Sequence, residues 1–121
     1  MKYLDLNNLT PDHLSGDWKV LDRFVNRSDA SSPFVQIDTL SFLPAMHFMA
    51  TNGADMTGTW TFSREQEVIY NPQLVFSVGG EDVASAIITR LSTTQPEPDP
   101  VFHLTLYFTN GLELVLEKPV D

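Results

Sequence analysis

The chain reads as an all-β protein built on an antiparallel sheet with one covered face, opened by a short helical turn. Three observations predict this. Apolar residues alternate with polar ones at period two in segment after segment. No segment carries the three-to-four-residue apolar spacing of an amphipathic helix over helical length. The last two strands, "FHLTLYF" and "LELVLE", can be set in register so that every apolar residue falls on one side. About seven to nine short strands follow from this count, which suits either a sandwich or an up-and-down barrel.

The elements follow in order. Residues 1–9 are expected to be a flexible N-terminal arm. Thr10 is a good helix N-cap, Pro11 suits the first helical position and Asp12 the positive end of the helix dipole, but Gly16 arrives before a second turn can complete. From Trp18 the period changes to two. Trp18, Val20, Asp22 and Phe24 then share one face, and Asp22 is the odd polar member. After a polar turn at 26–33, strands at 35–43 and 46–51 are parted by Pro44, which cannot donate to a central ladder. Asn52-Gly53-Ala54-Asp55 is turn chemistry. A strand at 59–64 follows, with Trp60, Phe62 and Arg64 on one face. Residues 68–70 form a short strand, Asn71-Pro72 interrupts it, and Leu74, Phe76 and Val78 resume one face. Gly79-Gly80-Glu81-Asp82 turns the chain into a strand at 83–93, and the proline-rich acidic stretch 95–100 is an extended surface connection.

The closing hairpin can be placed by its register. A two-residue Asn110-Gly111 turn would set Phe108 opposite Glu113. A three-residue loop, Thr109-Asn110-Gly111, with Gly111 left-handed in a bulge, instead sets Phe108 opposite Leu112, Leu106 opposite Leu114 and Leu104 opposite Leu116. The outer face then pairs Tyr107 with Glu113 and His103 with Glu117. A one-sided hairpin of this kind belongs to an antiparallel sheet packed on one face.

The 121 residues suit a single domain spanning 1–121 with one hydrophobic core. Sixteen acidic residues against seven basic ones give a formal charge of −9, and no cluster of Lys and Arg tracks a phosphate backbone. Nucleic acid and anionic membranes are therefore poor partners, with no nucleic acid expected, and the charge argues first for a soluble, self-repelling surface. The absence of cysteine removes disulfides and thiolate chemistry. No run of about 18 apolar residues offers a membrane span, and 1–9 has no signal-peptide core. A cytoplasmic location is expected if Met1 is the natural start. The sequence fixes no oligomeric state.

A short helical turn leading into Gly16-x-Trp18 on the first strand resembles the opening of lipocalins and the wider calycin group. There the turn closes one barrel end and the Trp packs beneath it. "MTGTWTFSREQEVIY" and "LTLYFTNGLELVLEK" resemble the middle and closing hairpins of small bacterial lipocalin-like domains. The resemblance runs through nearly the whole chain in strand order and implies an up-and-down barrel of about eight strands closed by Gly16 and Trp18. Two departures stand out. Lipocalins usually bring an Arg from the final strand onto this Trp, whereas here nothing after Arg90 is Arg and only Lys118 could stand in. Fatty-acid-binding members use an Arg and a Tyr late in the barrel, and "LELVLEKP" offers neither.

Chemical motifs are sparse. His13, His47 and His103 have no H-x-H or H-x-x-x-H spacing, so neither a metal nor another cofactor is expected. No Gly-x-Ser-x-Gly elbow is present. The resemblance implies non-catalytic binding of a small apolar or amphipathic molecule inside the barrel. Asp22, Phe24, Phe62, Arg64, Tyr70 and Phe76 are the candidate ligand-binding residues. Asp22 and Arg64 each continue an apolar face; they either point inward and meet a polar partner, or their strands bulge or end at the rim before the charge is buried. The first alternative function is a filled-core interaction module using the acidic surface. The second is a small barrel enzyme of isomerase, cyclase or hydrolase type, using Asp22, Arg64 or Tyr70 as acid and base.

Overall fold

The computed structural model of the chain describes residues 2–6, 9–25, 34–52, 55–63, 71–109 and 111–120. Among them lie nine strands: β1 (Lys2–Tyr3), β2 (Gly16–Val25), β3 (Thr39–Leu43), β4 (His47–Thr51), β5 (Asp55–Ser63), β6 (Gln73–Val78), β7 (Glu81–Thr93), β8 (Val101–Phe108) and β9 (Leu112–Pro119). From β2 onward each strand pairs antiparallel with the next, and β9 returns to pair with β2. The meander is thus a closed eight-stranded up-and-down barrel. A 3-10 turn, Pro11–Leu14, precedes β2, and a second, Pro44–Met46, separates β3 from β4 where Pro44 denies the ladder a donor.

The barrel stays regular because its inward positions are apolar and its outward ones polar. In the closing hairpin Leu104 faces Leu116, Leu106 faces Leu114, Tyr107 faces Glu113 and His103 faces Glu117. Gly111 has φ 92°, and its N–H donates to the Phe108 carbonyl at 3.0 Å. The three-residue loop is therefore the one adopted, since only that register puts all the leucines inside. On the outer face His103 Nε2 lies 3.2 Å from Glu117 Oε1.

Three bulges reset the alternation: at Leu21 in β2 against β9, at Val83 in β7 against β6, and at Thr89 in β7 against β8. The Thr89 bulge keeps Ile88 and Leu91 both in the core although two residues lie between them. Each bulge adds one residue to its strand and changes which side the following residues face.

Among the described residues of 1–9, Lys2–Tyr3 lies against β7. β6 pairs with β7 from Glu81 to Ile87, and the Ile88 N–H donates to the Pro72 carbonyl at 2.9 Å, so among the described residues the edge of β7 at 92–93 is open to another strand. Lys2–Tyr3 fills it by pairing with Thr93 and Ser92, and the Leu4 N–H donates to the Leu91 carbonyl at 2.8 Å. Leu9 is buried in the core. β3 also begins later than the alternation suggests, because residues 34–38 take another course. β5 begins earlier, at Asp55. The expected strand at 68–70, the turn at 26–33 and Gly53, Ala54 and Asn110 within the expected turns lie outside the described residues.

Gly58 shows why one β5 position admits no side chain. A Cβ there would lie 2.0 Å from the Ser77 carbonyl oxygen and 2.9 Å from Phe48 Cε1. Gly58→Ala is expected to lower the unfolding free energy by about 1–3 kcal/mol, the range of overpacked sites. Urea denaturation checks it, and an unchanged midpoint would contradict this packing.

Candidate functional site

The two ends of the barrel are closed by different means. At one end the 3-10 turn lies beneath β2. Its entry is capped without an acidic side chain: the Thr10 N–H donates to His13 Nδ1 at 2.9 Å, and the His13 N–H donates to the Thr10 carbonyl at 3.0 Å. His13 thus fills the place that Glu or Gln takes in a capping box. Trp18 is 1% exposed, and its Nε1 donates to the Leu14 carbonyl at 2.8 Å.

Lys118, on β9, completes this end. Its ammonium lies 5.3 Å from the Trp18 ring centroid and 5.7 Å from that of Phe102, and donates to the Ser15 carbonyl at 2.7 Å. Gly16 makes room for it. Its φ is +120°, and a Cβ there would stand 3.1 Å from Lys118 Cδ. The last-strand cation over Trp18 is therefore a lysine.

The other end is decided by the Leu21 bulge. Before it, Val20 faces Leu116; after it, Asp22 faces Val115, Arg23 faces Leu114, Phe24 faces Glu113 and Val25 faces Leu112. Leu114 and Leu112 point into the core, so Arg23 and Val25 share the face of the sheet that those leucines take, at a strand end where both stay exposed. Of the two alternatives for Asp22 the register shows the bulge, which sets Asp22 opposite Val115 and Phe24 opposite Glu113; the inward placement expected of Phe24 is corrected by this register, since the end of the strand is exposed on both faces, Phe24 and Val25 each at 47%. The extra residue spares the barrel an unpaired internal carboxylate, whose burial would cost several kcal/mol. The acid-base reading loses Asp22 from the interior for the same reason.

Arg23 binds the chain that crosses this end. Its Nη1 donates to the Val35 carbonyl at 2.6 Å and its Nη2 to the Ile37 carbonyl at 2.7 Å, with Asp38 Oδ1 3.9 Å from Nη2. The guanidinium fork matches two carbonyls spaced two residues apart. Between β2 and β3, Phe34 turns into the barrel and is fully buried. Its ring centroid lies 4.8 Å from that of Phe76, 5.2 Å from Phe108 and 5.9 Å from Phe48. Below these rings Phe42 meets Trp60 edge-on at 4.9 Å, and Trp60 Nε1 donates to the His47 carbonyl at 3.0 Å. Among the described residues no buried side-chain nitrogen or oxygen lacks a hydrogen-bond partner.

Of the candidate ligand-binding residues, Phe76 is in the core and Phe62 packs half-buried against it. Arg64 and Tyr70 lie outside the described residues. Arg23 and Phe34 were missed by the sequence reading. Arg23 alternates with the apolar positions of an unbulged strand, and Phe34 stands next to a polar turn, where a core residue is not expected.

The molecule is, by its topology, a closed antiparallel eight-stranded barrel with an aromatic interior. No family model, curated protein or solved structure matches the chain. No helix among the described residues is long and apolar enough to cross a membrane.

Trp18→Ala is expected to cost about 3–5 kcal/mol, as large aromatic truncations in cores do. Lys118→Met, which keeps the alkyl stem but removes the charge and the donor, is expected to cost about 1 kcal/mol. Both are read from urea unfolding followed by tryptophan fluorescence. Equal costs for the two variants would mean that Trp18 does not anchor this end.

Proposed function

We propose that this chain is a lipocalin-like, calycin-type barrel that binds a small apolar or amphipathic molecule in its interior without transforming it. One observation carries the reading. An eight-stranded barrel has an interior that its wall side chains can just fill, or that can hold one small ligand; here a ring from a connection, Phe34, occupies the space among Phe48, Phe76 and Phe108. Phe34 fills that space, so a ligand of similar size and polarity binds there by taking the place of its ring. The turn before Gly16-x-Trp18 and the Lys118 ammonium over Trp18 support the calycin assignment. Phe62 and Phe76 remain candidate lining residues, Arg64 and Tyr70 remain candidates from the sequence, and Arg23 replaces Asp22 as the polar group on the face of β2 that Val20 shares.

A second reading, a filled-core interaction module, is favoured by Leu21 and Phe24, exposed on β2 of an acidic molecule. Ligand binding separates the two. The first reading predicts saturable quenching of tryptophan fluorescence by apolar compounds, and a stabilisation of about 2.7 kcal/mol at a ligand concentration one hundred times Kd. Native mass spectrometry of freshly purified protein is expected to show co-purified mass. Absence of both saturable quenching and any Tm shift across a broad apolar set would favour the interaction module.

A further inference from the structure

We propose that the outer face of the β2–β9–β8 seam is a docking site for a basic protein segment, and that Phe24, Glu113 and Tyr107 hold an arginine of that segment between them. This surface lies on the outside of the barrel, so its use does not depend on whether the interior takes a ligand.

The strand register builds the site. After the Leu21 bulge Phe24 stands opposite Glu113, and Glu113 stands opposite Tyr107. The three side chains therefore form one row across three adjacent strands, on the face away from Leu112 and Leu114. In the next row Asp22 stands opposite Val115, and Val115 opposite Thr105. Phe24 and Tyr107 are both exposed, and so is Leu21, the bulged residue itself. Exposed apolar side chains gathered on one face and set among charges mark an interaction surface.

The charge of this face identifies its partner. Asp22 and Glu113 are diagonal neighbours here, and among the described residues neither has an ion pair. The nearby cations are engaged elsewhere: Arg23 with the Val35 and Ile37 carbonyls, Arg90 over the Tyr3 ring at 5.6 Å. A second copy of the chain, itself carrying −9, is repelled from the face, and a basic segment is drawn to it. Strand spacing sets the Phe24 and Tyr107 positions about 10 Å apart with Glu113 midway. A cation on Glu113 is then within reach of both rings, since cation–π attraction acts to about 6 Å. The protein already seats one cation in this way, Lys118 at 5.3 and 5.7 Å from two ring centroids. On the outer face the rings and the carboxylate are in place, and the partner supplies the cation. Arginine suits the row better than lysine, because its planar guanidinium stacks on rings while its fork meets the carboxylate. Leu21 and Val115 add apolar surface beyond the span of one small cation, which the neighbours of that arginine in a protein segment cover.

The test titrates the full chain with end-blocked hexa-arginine and hexa-lysine peptides at about 0.15 M salt, where screening over about 8 Å suppresses long-range attraction. Calorimetry reads the affinity and backbone amide shifts read the position. Hexa-arginine is expected to shift the amides of 22–25, 105–107 and 113–115, and to bind about fivefold more tightly than hexa-lysine. Phe24→Thr combined with Tyr107→Thr leaves the net charge unchanged and is expected to weaken hexa-arginine about tenfold. Glu113→Gln is expected to weaken it by a similar factor of about ten. Glu97→Gln removes the same charge from the loop before β8, at the Lys118 end, and is expected to change the affinity less than about twofold. Tm verifies the fold of each variant, and the contrast between Glu113→Gln and Glu97→Gln carries the test should the double variant fail to fold. Equal losses in those two, or binding indifferent to the loss of both rings, overturn the site and show attraction by net charge alone. Absence of binding by either peptide overturns it as well. None of these outcomes touches the interior ligand, which the fluorescence titration decides separately.

Discussion

The seam between β2 and β9 turns a meander into a barrel, and the single extra residue at Leu21 within that seam decides what the barrel contains. Closure removes the two edges that an open sheet of this order would expose. It also forces β2 to satisfy two partners, β3 along its first half and β9 along most of its length. Without the bulge, Asp22 and Phe24 would follow Trp18 and Val20 inward. With it, Arg23 and Val25 take that face at the exposed end of the strand, and the cation meets backbone carbonyls that Asp22 in its place would have repelled. The position of Phe34 depends on the same seam, because the guanidinium that fixes its neighbours is aimed by the bulge.

The two ends of the molecule solve one physical problem with the same class of side chain. At each end a cation reaches backbone carbonyls of a segment outside the barrel wall: Lys118 at Ser15, and Arg23 at Val35 and Ile37. The carbonyls are groups that no ladder satisfies, and a donor from the wall holds the segment in place. The aromatic partners differ. Lys118 lies over Trp18 and Phe102, which belong to the wall, and that end is closed by residues that cannot leave without unpairing a strand. Phe34 belongs to a connection, so its removal from the interior breaks ring contacts and two hydrogen bonds but no strand pairing. One end is thus closed by the wall itself and the other by a connection.

Much of the fold is legible in the residues. Trp18 beneath a turn, Pro44 as a break and the leucine register across Thr109-Asn110-Gly111 each follow from local rules, because each depends on neighbours close in sequence. The candidate site is legible only in part. Phe62 and Phe76 are found by alternation, since their strands run unbroken at those positions. Alternation leaves Asp22 open between an inward charge and a bulge and sets Phe24 inward, because a bulge is a property of two strands in contact and leaves no mark in a single strand's pattern. Arg23 then looks like an outward charge and Phe34 like the end of a polar loop.

The amino-acid sequence by itself determined an all-β chain, its strand order, the polarity of most faces, the closing hairpin and the Trp18 end, because period-two patterning and turn chemistry act over a few residues. Only the tertiary structure decided which way the end of β2 faces, that Lys118 crosses Gly16 to reach Trp18, and that Phe34 fills the barrel under the hold of Arg23. Those contacts join residues whose meeting depends on closure. The pairing of β2 with β9 brings together strands from opposite ends of the chain, and its register is set by the packing of the whole interior, which no local pattern encodes.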